Sequence, residues 1–156
     1  MNKARRQGLL ALLLVYSAVM LWLLLDRDRV VQGADYWTKV GANMNLQPFR
    51  TIKLYIDMLM DVNNTDNMIA AVVNLFGNVA MFIPLGIFLP ALWKSPQKWW
   101  ICLFYIALIM TVVELVQLVT LRGCCDVDDL ILNVLGGALG YGVWKAHAKP
   151  HARKKR

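Results

Sequence analysis

Read for polarity alone, the chain resolves into four long apolar blocks, at residues 8–25, 68–92, 99–121 and 127–144. A helix rises about 1.5 Å per residue and needs roughly 20 apolar residues to cross a hydrocarbon core of about 30 Å. Each block comes close to that length. The pattern therefore predicts an all-α integral membrane protein, a bundle of four transmembrane helices. Composition agrees, because 58% hydrophobic and 17% charged residues in a chain of 156 are too apolar for an ordinary soluble domain. The first block follows Lys3, Arg5 and Arg6, as a signal peptide would. It is long for such a peptide and no small-x-small site precedes Asp26, so an uncleaved anchor is expected.

Residues 26–67 form the one sizeable segment between blocks, opening on the charge run DRDR. Pro48 disfavours helix at Gln47. Beyond it Ile52, Tyr55, Ile56, Leu59 and Met60 recur at helical spacing, with Lys53, Asp57 and Asp61 off that face. This predicts a short amphipathic helix, lying in the membrane interface or packed on the bundle. Asp66 is the expected N-cap of the second span. The link from Trp93 to Lys98 is short enough to force spans two and three antiparallel. Trp93, Trp99 and Trp100 would form an aromatic belt there. Residues 1–146 thus read as one membrane domain and 147–156 as a basic tail.

Charge sets the expected orientation. With both termini in the cytoplasm, the inner side carries Lys3, Arg5, Arg6, Lys94, Lys98, Lys145 and the five basic residues of the tail, and no acid. The outer side, including the loop 26–67, carries six basic residues (Arg27, Arg29, Lys39, Arg50, Lys53 and Arg122) against all nine aspartates. That asymmetry follows the positive-inside rule. The net charge of +7 is then a topology signal, with the tail along anionic headgroups rather than on nucleic acid.

Polar groups inside apolar spans are costly and tend to be functional. Asn74 and Asn78 share a face of span two, where Gly77 is expected to allow close helix approach and Pro84 to kink the helix. Glu114 and Gln117 share a face of span three. Asp128, Asp129 and Asn133 lie in span four, where Gly136 and Gly140 make a small-xxx-small packing seam. Counted from the outer ends, Glu114, Asn133 and Asn74 fall at roughly 10 Å depth, with Gln117 and Asp129 at about 5 Å. This predicts an outward polar pocket of Asn74, Asn78, Glu114, Gln117, Arg122, Asp126, Asp128, Asp129 and Asn133. A plainer reading makes Asp126 a helix cap, Asp128 and Asp129 partners of the helix dipole, Arg122 their ion-pair partner and the amides interhelical glue. Glu114 is too deep for a cap. Cys102 reads as a core residue. Cys124 and Cys125 are adjacent, too close for an ordinary disulfide, although a strained vicinal bond is conceivable, and they lack zinc-ligand spacing.

Four segments occur in order: NLQPFRTI at 45–52, NLFGNVAMFIPLG at 74–86, ELVQ at 114–117, and R-x3-D-x-D-D-x3-N-x2-G-x3-G from Arg122 to Gly140. With these the chain resembles the VanZ-like family of bacterial membrane proteins. The resemblance carries over Asn74, Pro84, Gly86, Glu114, Gln117, Arg122, Asp126, Asp129, Asn133 and Gly136. It implies residence in the bacterial plasma membrane and a role in low-level resistance to teicoplanin and related lipoglycopeptides. The departure is Cys124-Cys125, where the family usually has a bulky residue before the aspartate.

Three functions compete. The first is non-enzymatic binding of a lipid or amphiphile in the outer pocket. The second is a metal-dependent membrane enzyme acting on a lipid headgroup, with Glu114, Asp126, Asp128 and Asp129 around Mg²⁺ and Arg122 on a phosphate. The third is transport of a small solute or proton by an oligomer, with Glu114 as relay. His147 and His151 both lie in the tail, which excludes histidine-based chemistry at the outer face. The binding reading is preferred. It expects membrane lipids as partners, with a lipoglycopeptide or cell-wall lipid precursor as further candidates, and neither cofactor nor metal.

Overall fold

The computed structural model describes residues 2–25, 35–93 and 98–148. The DRDR run, residues 94–97 of the link between the second and third blocks, and the basic tail from 149 onward lie outside the described residues. The elements in order are α1 (Lys3–Leu25), α2 (Tyr36–Ala42), β1 (Met44–Asn45), α3 (Arg50–Met60), α4 (Thr65–Leu92), α5 (Trp99–Thr120), β2 (Cys125–Asp126) and α6 (Val127–His147).

Among the described residues α1, α4 and α5 are long and apolar enough to cross a membrane. The fourth expected span, α6, is not among them. It has 21 residues, but Asp128, Asp129, Asn133 and Lys145 dilute its apolar character. Large apolar side chains such as Leu14, Trp22, Val73, Phe76, Phe104 and Val119 are exposed on the three spanning-length helices. That outward greasiness suits lipid rather than water. The core between the helices is small and dense, with Met20, Leu24, Phe82, Leu85, Ile106 and Met110 buried together.

The most extensive helix contact is between α4 and α6. Its cause is glycine. A Cβ built on Gly136 or Gly140 would overlap the backbone carbonyl of Val79 or Ile83, and one on Gly86 would overlap that of Gly137. The small-xxx-small seam expected in α6 therefore faces α4, with Gly86 answering from the other side. Gly77 does not take part, since nothing lies within 4 Å of where its Cβ would be. Pro84 and Pro90 sit inside α4 without ending it. Near the first of them the hydroxyl of Tyr16 on α1 donates to the carbonyl of Met81 at 2.5 Å.

The caps differ in part from expectation. Asn64, not Asp66, caps α4, its Oδ1 accepting from the amide of Asn67 at 3.1 Å. The helix starts at Thr65, so Asp66 falls in its first turn. The amphipathic helix after Pro48 is present as α3 and packs chiefly on α4. Ile52, Tyr55 and Leu59 are half-buried as anticipated, whereas Ile56 and Met60 are exposed.

The seam gives a direct contrast. Gly136→Ala should destabilise the protein by about 1–3 kcal/mol, because the backbone in contact cannot yield cheaply. Gly142→Ala, on the same helix with open space around it, should stabilise by about 1 kcal/mol or less through helix propensity. Thermal unfolding in detergent reads both; equal shifts would refute the seam.

Candidate functional site

The site is built where α3 meets the start of α6. Pro48 keeps Gln47 out of the helix, and Phe49 then adopts a left-handed backbone (φ 65°) rare for a bulky residue. Helix α3 begins at Arg50 with no side-chain cap of its own. Its first amides are satisfied from α6 instead. The carboxylate of Asp128 accepts from Phe49 N at 2.5 Å, Thr51 N at 2.7 Å and Ile52 N at 3.0 Å. Asp128 is 0% exposed. A helix N-terminus is a natural seat for a buried anion, because its amides point outward and its dipole favours negative charge.

Asp126 does a second joining task. As N-cap of α6 it accepts from Asp128 N at 2.9 Å. It also accepts from the Thr51 hydroxyl at 2.5 Å and from Asn45 Nδ2 at 3.1 Å. Its own amide donates to Glu114 Oε2 at 3.0 Å, with Glu114 only 4% exposed. Strands β1 and β2 pair in parallel, Met44 opposite Cys125 and Asn45 opposite Asp126. Just before that pair, Cys125 N donates to the Asn43 carbonyl at 2.8 Å. Three acids thus run as a series of acceptors from α5 through β2 and α6 to α3.

Equal depth does not make Glu114, Asn133 and Asn74 a single hydrogen-bonded cluster. Asn74 donates back to the Ala70 carbonyl of its own helix at 2.7 Å. Among the described residues neither polar atom of the Asn133 side chain has a hydrogen-bond partner, and the residue is 0% exposed. Glu114 is engaged by the loop that folds over it. Asn78 Nδ2 donates to Asp129 Oδ1 at 2.6 Å. Gln117, expected near Asp129, donates to the Leu24 carbonyl at 2.6 Å and so caps the end of α1. Arg122 is exposed, and the ion pair expected of it is not made among the described residues. Depth counting failed because it set every block to one starting level. Helix α4 begins three residues before Met68, and residues 121–126 turn back so that Asp126 rests on Glu114.

No disulfide joins Cys124 to Cys125 among the described residues. Burial, then the carboxylates of Glu114 and Asp126, push the Cys125 thiol up. The shift disfavours the thiolate, which is the nucleophilic form of the residue.

Beside this joint lies a cavity of about 430 Å³. Asn74, Asp126 and Asp129 of the expected pocket line it. So do Asn45, Arg50, Thr51 and Tyr55, which the span-by-span reading missed. The available signal was the NLQPFRT segment itself, polar and proline-bearing next to a helix that needs an external cap. Ala42, Met44, Leu54 and Cys124 complete the wall. Asn78, Glu114, Gln117, Arg122, Asp128 and Asn133 are not in it. Among the described residues no three His, Cys, Asp or Glu side chains are grouped to hold a metal ion.

The sequence model of the VanZ/LLP1 family matches residues 10–148. The chain is 28% identical over 152 residues to Protein VanZ of Enterococcus faecium, covering 94% of this chain and 80% of that protein. No solved structure matches significantly.

Asp128→Ala should expose the start of α3. Each buried amide left without an acceptor costs roughly 1–3 kcal/mol, so amide exchange at Thr51 and Ile52 should accelerate by at least about tenfold. Glu114→Gln keeps an acceptor for Asp126 N and should leave that exchange unchanged. Unaltered protection in Asp128→Ala would show that α3 is held by something else.

Proposed function

The chain belongs to the VanZ/LLP1 family, and from that premise we propose that it is a membrane protein holding the polar head of a lipid or other amphiphile in the cavity between α3, α4 and α6. The observation that carries this reading is the cavity's two-sided character. Asn45, Thr51, Tyr55, Asn74, Asp126 and Asp129 give it a polar floor. Met44 and Leu54 line it while remaining exposed, and Leu46 and Phe49 are exposed beside them in sequence. Polar convergent groups under an apolar exit are what an amphiphile requires.

The orientation that completes the reading has α6 as a fourth span, both termini in the cytoplasm and the cavity at the outer leaflet. It rests on the Lys/Arg asymmetry of the sequence. An outer-leaflet site would meet lipid-linked cell-wall precursors and acylated glycopeptide antibiotics in the same place. The resemblance to VanZ-like proteins supports a role in low-level tolerance of teicoplanin and related lipoglycopeptides.

Binding is favoured over metal-dependent catalysis for a specific reason. The oxygens of Asp126 and Asp128 already accept from backbone amides and from Thr51 and Asn45. Turning them to a cation would leave buried donors unpaired.

Asn74→Phe tests the reading, since the lost hydrogen bond is only to its own helix and the larger ring would fill the cavity. Native mass spectrometry from nanodiscs should show retained amphiphile reduced by about tenfold or more, the scale of losing one good contact set. Teicoplanin tolerance of cells expressing the variant should fall, at unchanged membrane abundance. Retention and tolerance equal to the parent protein would contradict the proposal.

A further inference from the structure

The turn that leads into α3 carries two features that water disfavours. Phe49 holds a left-handed backbone (φ 65°), which glycine adopts without steric penalty and a bulky side chain does not. Its side chain is nonetheless 63% exposed, as is that of Leu46 on the other side of Pro48. Large apolar groups held open in this way mark a contact surface.

The glycine seam fixes how deep the turn lies. Gly136 meets Val79 and Gly140 meets Ile83, so α4 and α6 run in the same direction at a constant offset. By that offset Asp128, eight residues before Gly136, is level with Ala71. A hydrocarbon-crossing stretch of roughly 20 residues, counted back from Leu92 at the end of α4, begins near Val73. Asp128 therefore lies at the hydrocarbon edge, and the amides of Phe49, Thr51 and Ile52 that it accepts from lie there with it. Near that level α4 exposes Ile69, Val72 and Val73.

The sides of α3 agree with that depth. Ile52, Tyr55 and Leu59 are half-buried, and the helix packs chiefly on α4. Leu54 lines the cavity with Asp126 and Asp129, so its flank is turned toward α6. Ile56 and Met60, one helical turn apart on the opposite flank, are exposed. Arg50, Lys53 and Asp57 occupy the remaining side and are exposed too. The open part of the apolar arc is continuous with the exposed apolar surface of α4, a helix of spanning length. Lipid is the occupant common to both.

Independently of the amphiphile-binding reading, we infer that the Leu46–Phe49 turn and the Ile56–Met60 flank of α3 form a bilayer-contact surface. Leu46 and Phe49 reach the top of the acyl chains, and Arg50, Lys53 and Asp57 face the headgroup water. Helix α3 is thus packed on the bundle along one half of its apolar arc and set in lipid along the other. Open helix amides at that depth would lack water as a partner, and the carboxylate of Asp128 supplies the acceptor.

The test uses the full-length protein in phosphatidylcholine nanodiscs, with amide relaxation read by NMR. One sample contains a lipid with a nitroxide near the top of its acyl chain, the other a water-soluble gadolinium chelate. The amides of Leu46 and Phe49 should relax several-fold faster with the nitroxide than that of Asp57, and the order should reverse with the chelate. Phe49→Gly removes the ring at a backbone that glycine accepts. Its thermal stability in detergent should match or exceed that of the parent, while the chelate's effect at Leu46 should rise several-fold in the nanodisc. Chelate relaxation at Leu46 and Phe49 as strong as at Asp57 in the parent would overturn the placement. So would a marked loss of stability in Phe49→Gly, which would show that the ring serves the fold instead. An empty cavity would leave these results unchanged.

Discussion

The arrangement depends on one buried carboxylate. Asp128 is fully enclosed and accepts from the amides of Phe49, Thr51 and Ile52. A buried charge without partners would be prohibitive. Here the uncapped start of a helix supplies them, and the helix in turn gains the cap its own sequence lacks. Each side resolves the other's unsatisfied groups. Because Asp128 belongs to α6, the bond fixes α3 relative to the α4–α6 pair, and the cavity wall that contains Arg50, Thr51, Leu54 and Tyr55 is placed by it.

Two motifs that lie far apart in the chain are therefore halves of one joint. NLQPFRTI supplies the strand β1, the left-handed turn at Phe49 and the open amides of α3. The aspartate-rich segment after Arg122 supplies β2, the cap of α6 and the acceptor for those amides. Glu114 holds this joint to α5 through the amide of Asp126. A glutamate deep in an apolar helix is accounted for as the anchor of a re-entering loop. Asn133 is a buried polar group that the joint does not use, its amide unmatched among the described residues.

What could be read from the sequence was whatever has a period or a local rule. The apolar blocks gave α1, α4 and α5, spacing gave the Gly136–Gly140 seam, and residue type with position gave the Asp126 cap. Pro48 marked the approach to α3. Pairings between distant segments have no such signature. Asp128 looked like a dipole partner for its own helix, yet its acceptor oxygens serve another. Counting depth along straight spans paired Gln117 with Asp129, whereas the folded loop gives Asn78 to Asp129 and Leu24 to Gln117. Arg50 and Thr51 carried no apolar rhythm and became part of the site only through the partner that aligns them.

If the joint frames a seat for the head of a membrane amphiphile, as proposed, a structure of the protein in a lipid nanodisc should show ordered headgroup density in the cavity lined by Arg50 and Asn74, continuous with an acyl chain passing Met44 and Leu54. Lipid confined to the outer faces of α1, α4 and α5, with only solvent in the cavity, would contradict it.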